Sequence, residues 1–244
     1  MNIVAGSASH VGLVRAGNED ASHCGRRLWA VADGMGGQAA GEVASALAVE
    51  QVRRLDESAE TLDEAALVAA VEAANEALRR YAWRHPRAWG LATTLVGAAV
   101  VTVDDGELLC VFNVGDSRAY RLAHGRLAQV TTDHSEVEEL RSRGVITAAE
   151  ARGHPLGHLV TRWVGMPAAP AVDTWLVSLR PGERLLLCSD GLTGEVTDAD
   201  LAATLLAAPD PQEAADRLVA AALAGGGRDN VTVIVLDAAA GDER

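Results

Sequence analysis

The sequence predicts an α+β sandwich folded as one domain. Helix-like stretches come early, strand-like segments follow as a block, and the two element types segregate more than they alternate, which disfavours a parallel doubly wound sheet. The strand block is punctuated by turn residues in the manner of an antiparallel meander. No Pro/Gly/Ser-rich linker interrupts the 244 residues, which suffice to bury a sizeable core, so residues 1–244 read as a single unit.

Residues 41–55 (GEVASALAVEQVRRL) and 62–83 carry apolar side chains at helical spacing amid many alanines, and are predicted as two amphipathic helices. Strands are expected at 91–103, 107–114 and 117–122, divided by Asp104-Asp105-Gly106 and by Gly115-Asp116. Between 135 and 165 the chain is polar, with two short helical pieces (EVEELRSRG and TAAEARG) that lack a strong apolar face; this reads as a mobile excursion from the fold. Strands at 172–179 and 184–188, helices at 199–206 and 211–223, and a last strand at 231–236 complete the pattern.

Charge and composition exclude several classes of partner. The net charge is −13 and all 21 basic residues are arginine, a balance that weighs against nucleic acid, whose phosphates need a basic face. The complete lack of lysine fits the coding bias of a GC-rich genome. Cys24, Cys110 and Cys188 are odd in number and widely spaced, which suits a reducing compartment better than a disulfide framework. The N-terminus shows no secretory pattern, and the longest weakly polar run, LATTLVGAAVVTV, is too short to span a bilayer. A cytoplasmic protein without a membrane partner is expected.

Most carboxylates lie on helices among arginines, as solvated faces do, but a few lie elsewhere. Asp33 ends the apolar run RLWAVAD and precedes Gly34-Met35-Gly36-Gly37; Asp190 repeats that arrangement in RLLLCSDGL. Asp229 stands just before a predicted strand, Asp116 occupies the turn NVGDSR, and Glu19 and Asp20 fall in a predicted loop, RAGNED. Any one Asp-Gly pair is best read as a turn. Several carboxylates gathered at sheet ends, however, would repel one another at a cost of many kcal/mol unless a cation joined them. Oxygen donors without paired His or Cys select hard ions such as Mg²⁺ or Mn²⁺, and a neighbouring glycine lets its carbonyl enter the shell.

The ordered strings GLVRAGNED, VADGMGGQAAGEVAS, GLATTLVGAAV, NVGDSRAYRL, TTDHS, HPLGHLVTRWVG, LLLCSDGLTGEV and GGGRDNVTVIVL resemble the successive motifs of the PPM, or type 2C, serine/threonine protein phosphatases of the compact bacterial type. The match runs from about residue 7 to 236. The resemblance implies a four-layer α-β-β-α sandwich of two antiparallel sheets flanked by helices, with a small flap at about 135–165. It further implies two Mn²⁺ or Mg²⁺ ions per site: Asp33 bridging both, the Gly34 carbonyl on one, Asp190 and Asp229 completing the first shell, and Glu19 and Asp20 serving the second. Asp116, with Asp190, resembles the ligand pair of a third, weaker ion.

Such a pair of ions lowers the pKa of a bridging water for in-line attack on phosphorus, with Asp33, Asp190 and Asp229 the catalytic carboxylates. Arg15, a planar fork just before the acidic pair, is assigned to phosphate capture. Phosphorylated proteins, with a serine/threonine kinase as the opposing enzyme, are the implied partners. A binding module that has lost catalysis and a phosphatase of small phosphoesters are the alternatives. Met35 stands where many eukaryotic relatives carry histidine, and a thioether donates no proton, so the leaving-group acid is either an ion-bound water or solvent. His134 reads as a structural hydrogen-bonding group, and His10, His23, His85, His124, His154 and His158 show no metal-ligand spacing. Thr161 and Arg162 read as pinning the 135–165 stretch more than as touching substrate.

Overall fold

The structure, a computed structural model, describes residues 1–36, 40–104, 106–151, 153–157 and 159–239. Gly37, Asp105, His158 and the last five residues lie outside that set. Eleven strands occur among the described residues: β1 (Ile3–His10), β2 (Asp20–Cys24), β3 (Leu28–Met35), β4 (Ala92–Thr93), β5 (Leu95–Val103), β6 (Gly106–Val114), β7 (Arg118–Ala123), β8 (Arg126–Gln129), β9 (Asp173–Val177), β10 (Arg184–Cys188) and β11 (Val231–Ala238). The helices are α1 (Ala40–Ser58), α2 (Glu64–Arg84), α3 (Glu136–Ser142), α4 (Ala148–Ala151), α5 (Asp190–Thr193), α6 (Asp198–Ala207) and α7 (Pro211–Gly225), with a 3₁₀ turn at Pro86–Ala88.

One sheet has the order β1-β11-β10-β7-β8 and the other β2-β3-β5-β6-β9, with β4 added beside β3; every pairing is antiparallel. Strand periodicity of two sorts side chains between layers. On β3, Trp29 and Val31 face the opposing sheet, where they meet Ala119, Leu187 and Ile234 in the central core. The alternate residues Leu28, Ala30 and Ala32 pack beneath α1 and α2 with Ala44, Ala48, Val71 and Leu78. On the far side α6 and α7 bury Leu201, Leu205, Leu218 and Ala222 against Leu186, Val233 and Val235. The result is the four-layer sandwich that the motifs imply, and its alanines let helix and sheet approach closely.

Four helices begin on a side chain that accepts a backbone N–H of the first turn: Asp63 before α2, Ser135 before α3, Thr197 before α6 and Asp210 before α7. Among the described residues no helix is long and apolar enough to cross a membrane.

Three expectations need correction. The strand expected over 91–103 is broken at Thr94, which leaves the ladder to donate its N–H to the Asp33 carbonyl (2.9 Å) and to accept the Asp33 N–H on Oγ1 (3.0 Å). The meander fails after β6: β7 lies in the other sheet beside β10, so Gly115 and Asp116 carry the chain across the sandwich. Gly115 sits at φ 116°, and a Cβ there would come within 2.6 Å of the Thr94 side chain, so the crossing demands glycine. Third, Asp20 is not in a loop but opens β2. The stretch after Ser135 leaves the sandwich through α3 and α4 and returns by bridges Ser135–Val160 and Thr93–Val164.

Candidate active site

Antiparallel register sets Asp20 directly opposite Asp33 across β2 and β3, with Glu19 one residue before the strand. In the other sheet, Asp190 opens α5 at the end of β10, and Asp229 precedes the adjacent β11 by two residues. Asp116 occupies the crossing between sheets, with 8% of its surface exposed. Carboxylates from both layers thus meet at one edge of the sandwich, where the start of β2 reaches the end of β10.

A network of short polar side chains holds them there. Ser189 donates to Asp20 Oδ2 (2.8 Å) and accepts the Thr232 N–H on its own Oγ (3.0 Å), tying β2 to β10 and β11. Asn230, 5% exposed, accepts the Glu19 N–H on Oδ1 (2.8 Å) and donates from Nδ2 to the carbonyls of Val11 (2.9 Å) and Gly17 (3.0 Å). One amide therefore fixes the whole 11–19 loop. Ser45 on α1 donates to the Glu19 carbonyl (2.6 Å), and the Thr94 and Ser117 hydroxyls bond each other beneath Asp33 and Asp116 (2.7 Å). Sequence reasoning missed Asn230, Ser189, Ser45 and Thr94. Their only sequence signal is adjacency, Asn230 to Asp229 and Ser189 to Asp190.

Burial, and next the Asp190, Asp20 and Asp116 carboxylates, hold the Asp33 carboxyl well above its ordinary range. Burial pushes Asp20 up to about 7 despite hydrogen bonds from Thr232 and Ser189, and pushes Asp116 up to about 7 with help from Asp190 and Asp133. Asp190 is raised by burial and by Asp229, and Glu19 is raised by burial. Burial is the largest cause of each of these shifts, and for Asp20, Asp33, Asp116 and Asp190 neighbouring carboxylates add to it.

The donor set fits a hard divalent cation. Asp20 Oδ1 is buried without any hydrogen-bond partner. A Cβ built on Gly41 would meet the Glu19 carboxylate and the Gly34 carbonyl, each at 2.8 Å, so those two oxygens border one small gap. A Cβ on Gly34 would strike the Gly41 carbonyl oxygen at 2.1 Å, so only glycine presents its carbonyl here. Among the described residues no three His, Cys, Asp or Glu side chains stand together in a geometry that would hold an ion, so binding would require the carboxylates to draw closer.

Around this cluster the remaining expected residues take distinct places. Arg15, half-exposed, donates from one guanidinium nitrogen to Asp229 Oδ2 (2.7 Å) and so stands at the rim with donors to spare. His134 is buried; its Nδ1 accepts the Gly115 N–H (3.0 Å) and its Nε2 lies 3.1 Å from Asp173 Oδ2. That is a brace for the crossing turn. Arg162 donates to Asp173 Oδ1 (2.7 Å) and the Ala171 carbonyl (3.2 Å), and Thr161 N–H to the His134 carbonyl, fastening the return of the 135–165 stretch. Met35 lines a separate apolar groove.

Residues 14–224 match the family model described as protein phosphatase 2C. The chain belongs to this family. Within the protein phosphatase 2C family it is similar to the serine/threonine protein phosphatase PstP of Mycobacterium tuberculosis, 43% identical over 228 residues, which cover 93% of this chain and 43% of that protein. The chain thus spans less than half the length of that relative. It is 35% identical to the serine/threonine phosphatase stp of Listeria innocua over 212 residues, covering 85% of this chain and 82% of the relative. A solved structure of the catalytic domain of PstP in complex with two manganese ions superposes with a TM-score of 0.86 at 41% identity, covering 96% of this chain and 97% of that one.

Proposed function

We propose that this chain hydrolyses phosphoserine and phosphothreonine in proteins with the help of two divalent ions, Mn²⁺ or Mg²⁺. The observation that carries the reading is the meeting of Asp20 and Asp33 from one sheet with Asp190 and Asp229 from the other, where only Asp229 has a direct arginine partner, Arg15, among these four. Support comes from the named activity of PstP and stp and from the manganese held by the PstP domain.

In this reading Asp33, Gly34, Asp190 and Asp229 would hold one ion, and Glu19 and Asp20, with Asp33, would serve the second. Asp116 with Asp190 offers a third, weaker position. When bound, such ions activate water for in-line attack and neutralise phosphoryl charge. The chain's own residues do the rest. Asp33, backed by Thr94, is fixed from beneath. Arg15, held by Asp229 through one guanidinium nitrogen, offers its remaining donors to the phosphoryl oxygens. The 135–165 stretch serves as a flap beside the entrance, a serine/threonine kinase is the opposing partner, and the protein acts in the cytoplasm.

The test is a titration of Mn²⁺ and Mg²⁺ against turnover of a phosphothreonine peptide, with sugar and nucleotide phosphates alongside. Metal-dependent turnover favouring the peptide is expected. Preference for the small esters would transfer the reading to a phosphomonoesterase, and inactivity at saturating metal would leave a binding module.

A further inference from the structure

In a chain with only 3% aromatic residues, three of the five tryptophans border one apolar groove of about 680 Å³. Its walls are the end of α2, with Arg79 and Trp83, the following turn with Trp89, and the return of the 135–165 stretch with Leu159 and Trp163. Trp83 and Trp89 are 80% and 83% exposed, and Leu159 is 42% exposed. The groove is preformed: Asn75 on α2, 3% exposed, accepts the Gly165 N–H (2.6 Å) and donates to the Met166 carbonyl (3.1 Å), locking the two walls together.

The groove is lined by no carboxylate but adjoins the carboxylate edge through the end of β3. Met35 lines it, one residue beyond Gly34; Gly34 pairs with Thr93, and Thr93 in turn bridges Val164. Between residues 76 and 90 the sequence places four arginines, Arg79, Arg80, Arg84 and Arg87, against a single carboxylate, Glu76. All four are exposed, and none is in an ion pair among the described residues. Arg79 lines the groove itself, while Arg80 and Arg84 share its helix and Arg87 the turn that follows; elsewhere among the described residues most arginines are ion-paired, so this unspent basic segment beside the groove is local.

We propose that this groove is the docking surface for the phosphoprotein substrate, seating a large aliphatic or aromatic side chain flanked by carboxylates near the phosphorylated residue. The proposal rests on the phosphatase reading and adds a substrate class to it. Tryptophan in a fixed wall gives contact area at low entropic cost, and the arginines steer an anionic segment towards a protein that otherwise repels it. A second copy is a poorer occupant, because a two-fold contact would set four unpaired arginines against their own images. An anionic bilayer would face the net charge of −13 beyond this rim.

The test compares wild type with Trp83→Ser/Trp89→Ser and Arg79→Glu/Arg84→Glu, all at exposed positions where folding is not at stake. With Mn²⁺, kcat and KM are measured on p-nitrophenyl phosphate and on two phosphothreonine peptides, one carrying Leu between aspartates and one carrying Ser and Gly there. Anisotropy of the labelled peptides in EDTA reads binding without turnover.

Wild type should prefer the Leu/Asp peptide. Both variants should raise KM for that peptide alone by about tenfold, with kcat and p-nitrophenyl phosphate turnover unchanged. Equal handling of the two peptides by wild type, or variants with unaltered KM and anisotropy, would overturn the proposal. So would light scattering showing a wild-type dimer that the tryptophan variant dissolves, or loss of co-sedimentation with phosphatidylserine vesicles at constant peptide KM. If no phosphate ester turns over, the phosphatase reading fails, and the anisotropy still decides the docking.

Discussion

Asn230→Ala should damage both stability and ion binding although Asn230 is not an ion ligand. The side chain is 5% exposed and makes three hydrogen bonds, with the Glu19 N–H and with the carbonyls of Val11 and Gly17. Truncation strands one donor and two acceptors. At about 1 kcal/mol for each lost bond the cost is about 3 kcal/mol, and more where the stranded groups stay dry. In a domain of this size 1 kcal/mol lowers Tm by roughly 2–4 °C, so a fall of about 6–12 °C is expected in EDTA. The 11–19 loop carries Arg15 and Glu19 and leads into Asp20, so the Mn²⁺ concentration for half-maximal peptide turnover should also rise. Differential scanning fluorimetry and a metal titration measure the two effects. A Tm within about 3 °C of wild type with an unmoved metal midpoint would refute the assignment of Asn230 as the clamp of this loop.

Asp33→Ala or Asp190→Ala should abolish metal-dependent turnover while leaving the EDTA-treated protein at least as stable as wild type, because each removes a carboxylate whose ionisation burial and like charge oppose; a metal titration and a melt in EDTA check both halves. For the chelated protein, Asp20 and Asp116 have folded pKa values near 7, above the ordinary value of about 3.9. Their stabilising contribution is complete below that ordinary value and is lost as pH rises through about 7, so Tm in EDTA should fall from pH 5 to 8 and saturating Mn²⁺ should flatten the slope. A slope of opposite sign in EDTA would contradict the crowding of these carboxylates. Arg15→Ala should raise KM with little change in kcat, since a preformed phosphate contact serves ground and transition states alike; steady-state kinetics on the phosphothreonine peptide read this directly, and an unchanged KM would remove Arg15 from the site.

The elements with strong periodicity were legible before any coordinates. Helices at 41–55 and 62–83 match α1 and α2 to within a few residues, and 184–188 matches β10 at both ends. Elements β1, β2, β8 and α5 went unread because they are short or built of small and polar residues such as Gly6, Ser7 and Ser9, whose strand character comes only from pairing. The meander failed at Gly115 because nothing in a turn sequence tells which sheet the next strand joins. Asp33 and Asp190 stood out because Asp-Gly at the end of an apolar run recurs in both places, whereas Glu19, Asp20, Asp116 and Asp229 drew their expected roles from the family motifs around them. Their supports were not, since Asn230 and Ser189 act through partners some 40 to 220 residues away. The groove tryptophans are scattered over 81 residues of sequence, from Trp83 to Trp163, and the Asn75 lock together with the Thr93–Val164 bridge brings them to one place.

On the proposed function, the division of the acidic residues between β2/β3 and β10/β11 would make the sandwich itself a condition of activity. A ligand shell drawn from both layers would tie them together like a rivet at one rim, while the rest of the interface depends on side-chain packing. Any slide of one layer over the other by a single strand position would break up the shell long before the apolar interior opened. Loss of turnover should therefore be an early sign of loosening between the layers, ahead of any change in helical signal on heating.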